Sequence, residues 1–277
     1  PEKLISVDNW GSLTWQDLDG AFYGCTNMNV LATDVLRLYS ATDMSDMFRG
    51  ASNFNGDISA WDVSSVDVMS GLFRGASNFN GDLSAWDVSS VAVMNGLFGG
   101  ASNFNGDIST WDVSSVTNMG SMFNGASNFN RDVSAWDVSS VTNMNNMFLD
   151  ASNFNGDISS WDVSSVTNMG RMFEGTNMSL ENYDALLNGW AALPSLQSNV
   201  VFWGRAQGWC EGETGIDILM GPPNNWQFSS GDNRDVTCTL STNNFDLDSN
   251  IRIFTDSQGD FRIVGLEKGL VKVCIYN

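Results

Sequence analysis

Apolar and polar positions recur along most of this chain at one fixed interval, the step from Trp61 to Trp86. Trp61, Trp86, Trp111, Trp136 and Trp161 follow it. So do Phe48, Phe73, Phe98, Phe123, Phe148 and Phe173, and Phe54, Phe79, Phe104, Phe129 and Phe154. The unit reads M-x-x-[ML]-F-x-x-A-S-N-F-N-x-D-[ILV]-S-x-W-D-V-S-S-V-x-x, runs five times from Met44 and closes with Met169 to Phe173. A weaker copy precedes it. Phe22 and Cys25 match Phe48 and Ala51 with one extra residue, and Leu36 and Leu38 fall one full interval before Trp61 and Val63.

A fixed period of this size marks a repeat architecture, in which each unit buries its apolar face only against its neighbours. Twenty-five residues are too few for the four strands of a propeller blade. One coil of a leucine-rich-repeat-like solenoid fits, with short strands and helical turns, stacking like side chain on like at about 4.8 Å. Val66, Met69, Phe73 and Ala76 step by three, four and three, the spacing of a short helical turn facing the core. Leu83 and Ala85 share one parity and Trp86 and Val88 the other, so the chain must turn a corner near Ser84 and Ala85. A small residue stands there in every coil: Ala60, Ala85, Thr110, Ala135, Ser160. Asn-Gly at 55–56, 80–81, 105–106 and 155–156 would signal a hairpin in an isolated segment. Arg131 replaces the glycine once, so a left-handed backbone is not demanded and a turn of the coil is the better reading.

The organisation expected is an N-terminal cap with a degenerate repeat over 1–43, the repeat solenoid over 44–175, a C-terminal cap over 176–238, and a linker with a small β domain over 239–277. The second cap carries aromatics off the repeat register, among them Trp190, Phe202, Trp203, Trp209 and Trp226. Leu180, Tyr183, Leu186, Leu187 and Trp190 fit an amphipathic helix, with Pro194 just past its end.

Charge narrows the partners. The chain has 32 acidic and 12 basic side chains, a net charge of −20. That excludes a general binder of nucleic-acid backbones and disfavours an anionic membrane surface. There is no histidine, which removes histidine-based triads, acid–base pairs and zinc sites. No apolar run approaches the ~20 residues of a membrane span. The chain begins at Pro1 with nothing resembling a signal peptide, which implies a removed leader or a fragment. The lysines, Lys3, Lys268 and Lys272, all lie outside the repeats.

The unit D-[IL]-S-x-W-D-V-S-S-V-T-N-M-x-x-M-F-x-x-A-S-x-F-N resembles that of the BspA-like leucine-rich-repeat surface proteins, over roughly Trp15 to Asp232. Leu180 to Trp190, and Trp209 to Glu213, look like that family's terminal cap. The resemblance implies a secreted or surface-attached bacterial protein, often linked to adhesion, and supplies no ligand. Residues 251–254, 259–263 and 271–277 are similar to part of a type IX secretion sorting domain. The chain ends at Asn277, before the last strands of such a domain. That likeness implies recognition by an outer-membrane export machine during secretion. The alternation by two in the same residues independently reads as strands of a small β-sandwich.

Several columns are candidates for chemistry. Asp57, Asp82, Asp107, Asp132 and Asp157 form one, and Asp62, Asp87, Asp112, Asp137 and Asp162 another. Like charges about 5 Å apart repel and need an offset. Calcium between coils would supply it; so would main-chain N–H groups in Asx-type turns. The turn reading is preferred, because calcium-binding repeats carry denser Gly-Asp motifs. No other cofactor is implied. The tryptophan column is either a sugar-stacking platform or core, and its parity with Val63 favours core. Carboxylate pairs are the machinery of glycoside cleavage, but catalysis needs one differently tuned pair, and five equivalent copies give no such asymmetry. No catalytic residue and no enzyme is expected, and no ligand-binding residue is singled out. Cys25 reads as a buried free thiol. Cys210 and Cys238 are either a cap disulfide or two free thiols, and Cys274 lies on the strand face of Lys272 and Tyr276. The coils differ most at 67–68, 70–71 and 74–75 and their equivalents, the outer side of the helical turn. That face is either tuned for binding or drifting neutrally.

The expectation is a secreted or cell-surface, non-enzymatic binding and adhesion module with an extracellular protein or glycan partner. The alternative is a structural subunit or spacer of a surface assembly or filament.

Overall fold

The computed structural model describes residues 4–11, 15, 18–38, 42–202, 213–228, 252–255 and 261–264. From 43 to 168 the chain advances in coils held in register, each the length of one sequence repeat. Parallel bridges join Asp43 to Val68, Val68 to Val93, Val93 to Asn118, Asn118 to Asn143 and Asn143 to Asn168. β1 (Ser6–Val7) and β2 (Asn29–Val30) pair in parallel before this run. After it, β3 (Asn168–Met169), β4 (Val201–Phe202) and β5 (Gln227–Phe228) form a parallel sheet in that order. Two helices, α1 (Leu180–Ala191) and α2 (Glu213–Met220), pack on each other. β6 (Arg252–Thr255) and β7 (Phe261–Val264) are an antiparallel pair. Cys210, Cys238, Cys274, the three lysines and most of the sorting-type tail lie outside the described residues.

The segment expected to be a helical turn is built differently. Leu72, Arg74 and Ala76 donate backward to Met69, Gly71 and Phe73, as in a turn. Between them, Met69, Gly71, Phe73 and Gly75 donate across to Val93, Asn95, Leu97 and Gly99 of the next coil, at 2.6–2.9 Å. Alternate main-chain groups thus serve the coil and the stack, which satisfies a buried backbone that a lone turn would leave half unpaired. Two left-handed residues per coil make the alternation possible: Gly71 (φ 62°) and Gly75 (φ 74°) in this one. Asp46, Ser121, Asn146 and Arg171 take the first position elsewhere without being glycine.

Side chains follow the same register. Phe48 and Phe73 stack with centroids 5.7 Å apart and rings 2° from parallel, and Phe73 and Phe98 repeat this at 5.7 Å and 6°. The second phenylalanine of each coil lies face to face with the first, Phe73 on Phe79 at 4.0 Å. All are buried, as are the Met, Val and Ala columns beside them. Each such ring contributes about 1.5–3 kcal/mol of burial. At the two ends the stacked column meets rings turned on edge: Trp10 against Phe22 at 66°, and Phe202 against Phe173 at 77°.

The corner near Ser84 and Ala85 is a turn closed by Trp86 N–H on Leu83 oxygen at 3.1 Å. Asn-Gly is not a hairpin signal here: none of Gly56, Gly81, Gly106 and Gly156 has positive φ. Glycine is there because a Cβ on Gly81 would come 2.9 Å from Cε2 of Phe79, and one on Gly106 3.0 Å from Phe104.

Candidate functional site

The tryptophan column lies inside. Trp61 to Trp161 are 1–5% exposed, so they offer no platform for a sugar. Trp86, Trp111, Trp136 and Trp161 each donate the indole N–H to a carbonyl of the preceding coil, at 3.0–3.1 Å. A buried indole N–H needs such a partner. Cys25 is also buried and free, and burial pushes its thiol up.

Both aspartate columns are exposed, and each carboxylate is tied to the serine two residues on. Asp62 accepts the N–H of Ser64 at 3.2 Å and its hydroxyl at 2.6 Å; Asp87, Asp112 and Asp137 repeat the pair of bonds. In the other column Asp57, Asp82 and Asp107 take both bonds from Ser59, Ser84 and Ser109. These are Asx-type turns, one at each corner of the coil. The serine hydroxyl, and after it the serine N–H, holds Asp57, Asp62, Asp112 and Asp137 below the usual carboxylate range. For Asp82, Asp107 and Asp132 the N–H leads and the hydroxyl follows. The charges of Asp57 and Asp107 push Asp82 upward, but less than its two donors pull it down. A general acid needs the opposite shift. Among the described residues, no group of three or more Asp, Glu, Cys or His side chains is arranged to hold a metal ion.

Two asparagine columns beside the first aspartates are not among the sequence candidates for chemistry, one reading only as Asn-Gly turns, although S-N-F-N recurs in every coil. Asn78, Asn103, Asn128 and Asn153 each pass an amide N–H to the asparagine one coil earlier, at 3.1–3.5 Å. Asn55, Asn80, Asn105 and Asn130 each accept the main-chain N–H of the next coil's asparagine, at 2.8–3.1 Å. The exposed asparagine and aspartate side of the molecule is therefore a regular surface whose polar groups mostly bond one another.

The varying positions lie between the Asp-Val-Ser-Ser and Ser-Asn-Phe-Asn stretches of successive coils, and they are less uniformly exposed than the sequence suggests. Arg74 and Glu174 are exposed, but Gly71, Gly96, Gly99 and Leu149 are buried. Arg49 pairs with Asp46 at 3.0 Å and lies over the Tyr23 ring at 5.5 Å. Arg171 holds Glu174 with two bonds, at 2.7 and 3.0 Å. Arg74 forms no ion pair among the described residues, and its stem lies against Gly96 and Gly99 of the next coil. This side changes from coil to coil in charge and relief on an invariant frame.

A protein-family model matches the chain over residues 16–119 and again over 102–192, and its description is "Mycoplasma protein of unknown function, DUF285". The chain belongs to the DUF285 family. The two matches together cover the stacked coils, and the second runs through α1, so membership in DUF285 rests on the repeat and the start of its cap. No curated protein and no solved structure matches the chain. DUF285 thus brings no activity, and function has to be argued from the surface.

Proposed function

We propose that this chain is a non-enzymatic binding and adhesion module of the cell exterior, a BspA-like leucine-rich-repeat solenoid. The observation that carries the reading is the contrast between its sides. The core and the Asn/Asp side repeat nearly unchanged. The positions at 46, 71, 96, 121, 146 and 171 differ in every coil except for a repeated glycine, and those at 49, 74, 99, 124, 149 and 174 except for a repeated arginine. A rigid frame with one adjustable side suits recognition of an extended protein or glycan. The lowered carboxylates of Asp57, Asp62, Asp82, Asp107, Asp112, Asp132 and Asp137 support a role without general acid catalysis. Export by a type IX-like route is supported by the sequence likeness of residues 251–277. The net charge of −20 weighs against nucleic acid as a partner. No helix among the described residues is long and apolar enough to cross a membrane.

The test is binding to arrays of extracellular proteins and glycans, followed by the variant Arg74→Gln/Arg49→Gln. Loss of a saturable ligand in the variant, with an unchanged melting transition, is the expected result. A ligand retained by the variant but lost on changing the Asn/Asp side would overturn the assignment of recognition to the variable side.

One observation favours the structural alternative. Ile5, Tyr23, Leu31 and Val35 are large apolar side chains exposed in the N-terminal part of the chain. A subunit of an assembly would use such residues against another copy. Light scattering over a range of concentrations separates the two readings: a constant mass supports the binding module, and growth abolished by Ile5→Ser/Leu31→Ser supports the subunit.

A further inference from the structure

Four coils place a glycine directly after an exposed or half-exposed asparagine: Asn55-Gly56, Asn80-Gly81, Asn105-Gly106 and Asn155-Gly156. A following residue without a Cβ leaves its main-chain nitrogen unhindered for attack on the asparagine side chain. We propose that these four asparagines are sites of spontaneous succinimide formation, kept unreactive by whatever stacks on them.

The reaction is self-contained. The nitrogen of Gly56 gives its proton to a solvent base and bonds to Cγ of Asn55. The Cγ–Nδ2 bond breaks, and Nδ2 takes up a proton and leaves as ammonia. Water then opens the imide at either carbonyl. One product is aspartate; the other is its isomer, in which the main chain runs through the former side chain.

Two features of the fold oppose the first step. The side-chain oxygen is held by the next layer: Asn55 Oδ1 accepts the N–H of Asn80 at 2.9 Å, Asn80 that of Asn105 at 2.8 Å, and Asn105 that of Asn130 at 3.1 Å. Cγ cannot swing to the glycine nitrogen without releasing that bond. The glycine is also wedged. A Cβ on Gly56 would lie 2.6 Å from Val30 Cβ, and those on Gly81, Gly106 and Gly156 2.9–3.1 Å from the phenylalanine two residues earlier. The peptide has little room to rotate toward its neighbour.

Asn155 is held by α1 instead of another coil. Its Oδ1 accepts the N–H of Ser179 at 2.6 Å and Nδ2 of Asn182 at 3.1 Å, and its carbonyl accepts Nδ2 of Asn182 at 2.7 Å. Reaction at any of the four adds a charge two positions from an aspartate. The isomer also adds a main-chain atom to a coil whose length is fixed by its neighbours. Each event therefore records, irreversibly, that a coil lost the layer above it.

The experiment is peptide mapping with isoaspartate detection after incubation at mildly alkaline pH. The full chain is compared in buffer and in urea. In urea all four sites should react, with Asn130, which precedes Arg131, as a slow internal reference. In buffer they should react at least ~10-fold more slowly, the factor set by rare local opening. In folded Ser179→Pro/Asn182→Ala protein, which lacks both donors to Asn155 Oδ1, Asn155 should react faster than Asn55, Asn80 and Asn105. Equal rates in buffer and urea would overturn the gating. So would a folded Ser179→Pro/Asn182→Ala chain in which Asn155 stays as slow as the other three.

Discussion

Trp190 donates its indole N–H to the carbonyl oxygen of Ile158 at 3.2 Å. Trp161 makes the same bond to Val133, one coil earlier, at 3.0 Å. Trp161 stands in a coil and Trp190 on the helix α1, yet both bonds belong to one ladder. The cap thus completes the stack by imitating the coil that would have come next. Replacing Trp190 by Phe removes this bond, while the Ile158 carbonyl keeps the main-chain N–H of Trp161 at 3.1 Å. Urea unfolding should show a loss of about 0.5–1.5 kcal/mol, whereas an unchanged midpoint would mean that the cap holds by packing alone.

Within the stack, Phe98 touches Phe73, Phe104, Trp111 and Phe123. Phe98→Ala should cost about 3–5 kcal/mol, the range for truncating a large buried ring. A conservative Phe98→Leu should cost less. Equal effects of the two in denaturant titrations would show that ring stacking contributes little here.

Two glycines separate steric from conformational demands. A Cβ on Gly189 would overlap the main-chain oxygen of Ser159, forcing α1 away from the last coil. A Cβ on Gly75 would meet nothing closer than 3.6 Å, but its φ is +74°. Gly75→Ala should cost about 1–2 kcal/mol for the left-handed backbone. Gly189→Ala should cost more and should also weaken the Trp190 bond, visible as a change in tryptophan fluorescence. The reverse order of melting temperatures would contradict this packing.

The Asx-turn aspartates give the stability its acid limb. The folded pKa values of Asp57, Asp62, Asp82, Asp107, Asp112, Asp132 and Asp137 lie below the unfolded value of about 3.9, chiefly through the serine hydroxyls and N–H groups. A depressed folded pKa means stability fully present above the unfolded value and lost as pH falls through the folded one. The melting temperature should therefore vary little between about pH 7 and 5 from this source and fall below about pH 4. Asp62→Asn keeps an acceptor for Ser64 without the charge and should flatten that limb. A steeper fall in the variant would show that charge repulsion, and not the turn, governs the acid behaviour.

Which rings touch was legible in the sequence, because spacing alone sets Phe73 under Phe98. The inward tryptophans followed from parity, and the Asp–Ser turns from the chemistry of Asx residues. The backbone of the outward side was not legible. Asp46, Ser121, Asn146 and Arg171 do not announce a positive φ, and they adopt it because each layer's N–H groups bond the next layer. The role of Trp190 was hidden because it stands off the register set by Trp136 and Trp161. A helix rises only about 1.5 Å per residue, so the cap needs more chain to reach the same step. The buried Leu149 and Gly99 likewise look outward in the repeat and are covered in the fold.

The central claim is that every coil is an interchangeable layer whose bonds depend only on a fixed register. Deleting residues 94–118, one whole repeat, joins Val93 to Met119, so that Met69 keeps Val93 while Gly71, Phe73 and Gly75 find the equivalent carbonyls of Gly120, Met122 and Asn124. Deleting 94–117 instead puts every following side chain one position out. Thermal unfolding by circular dichroism should show one cooperative transition for the whole-repeat deletion and none for the deletion that is one residue short. Failure of both, or equal success of both, would contradict the account.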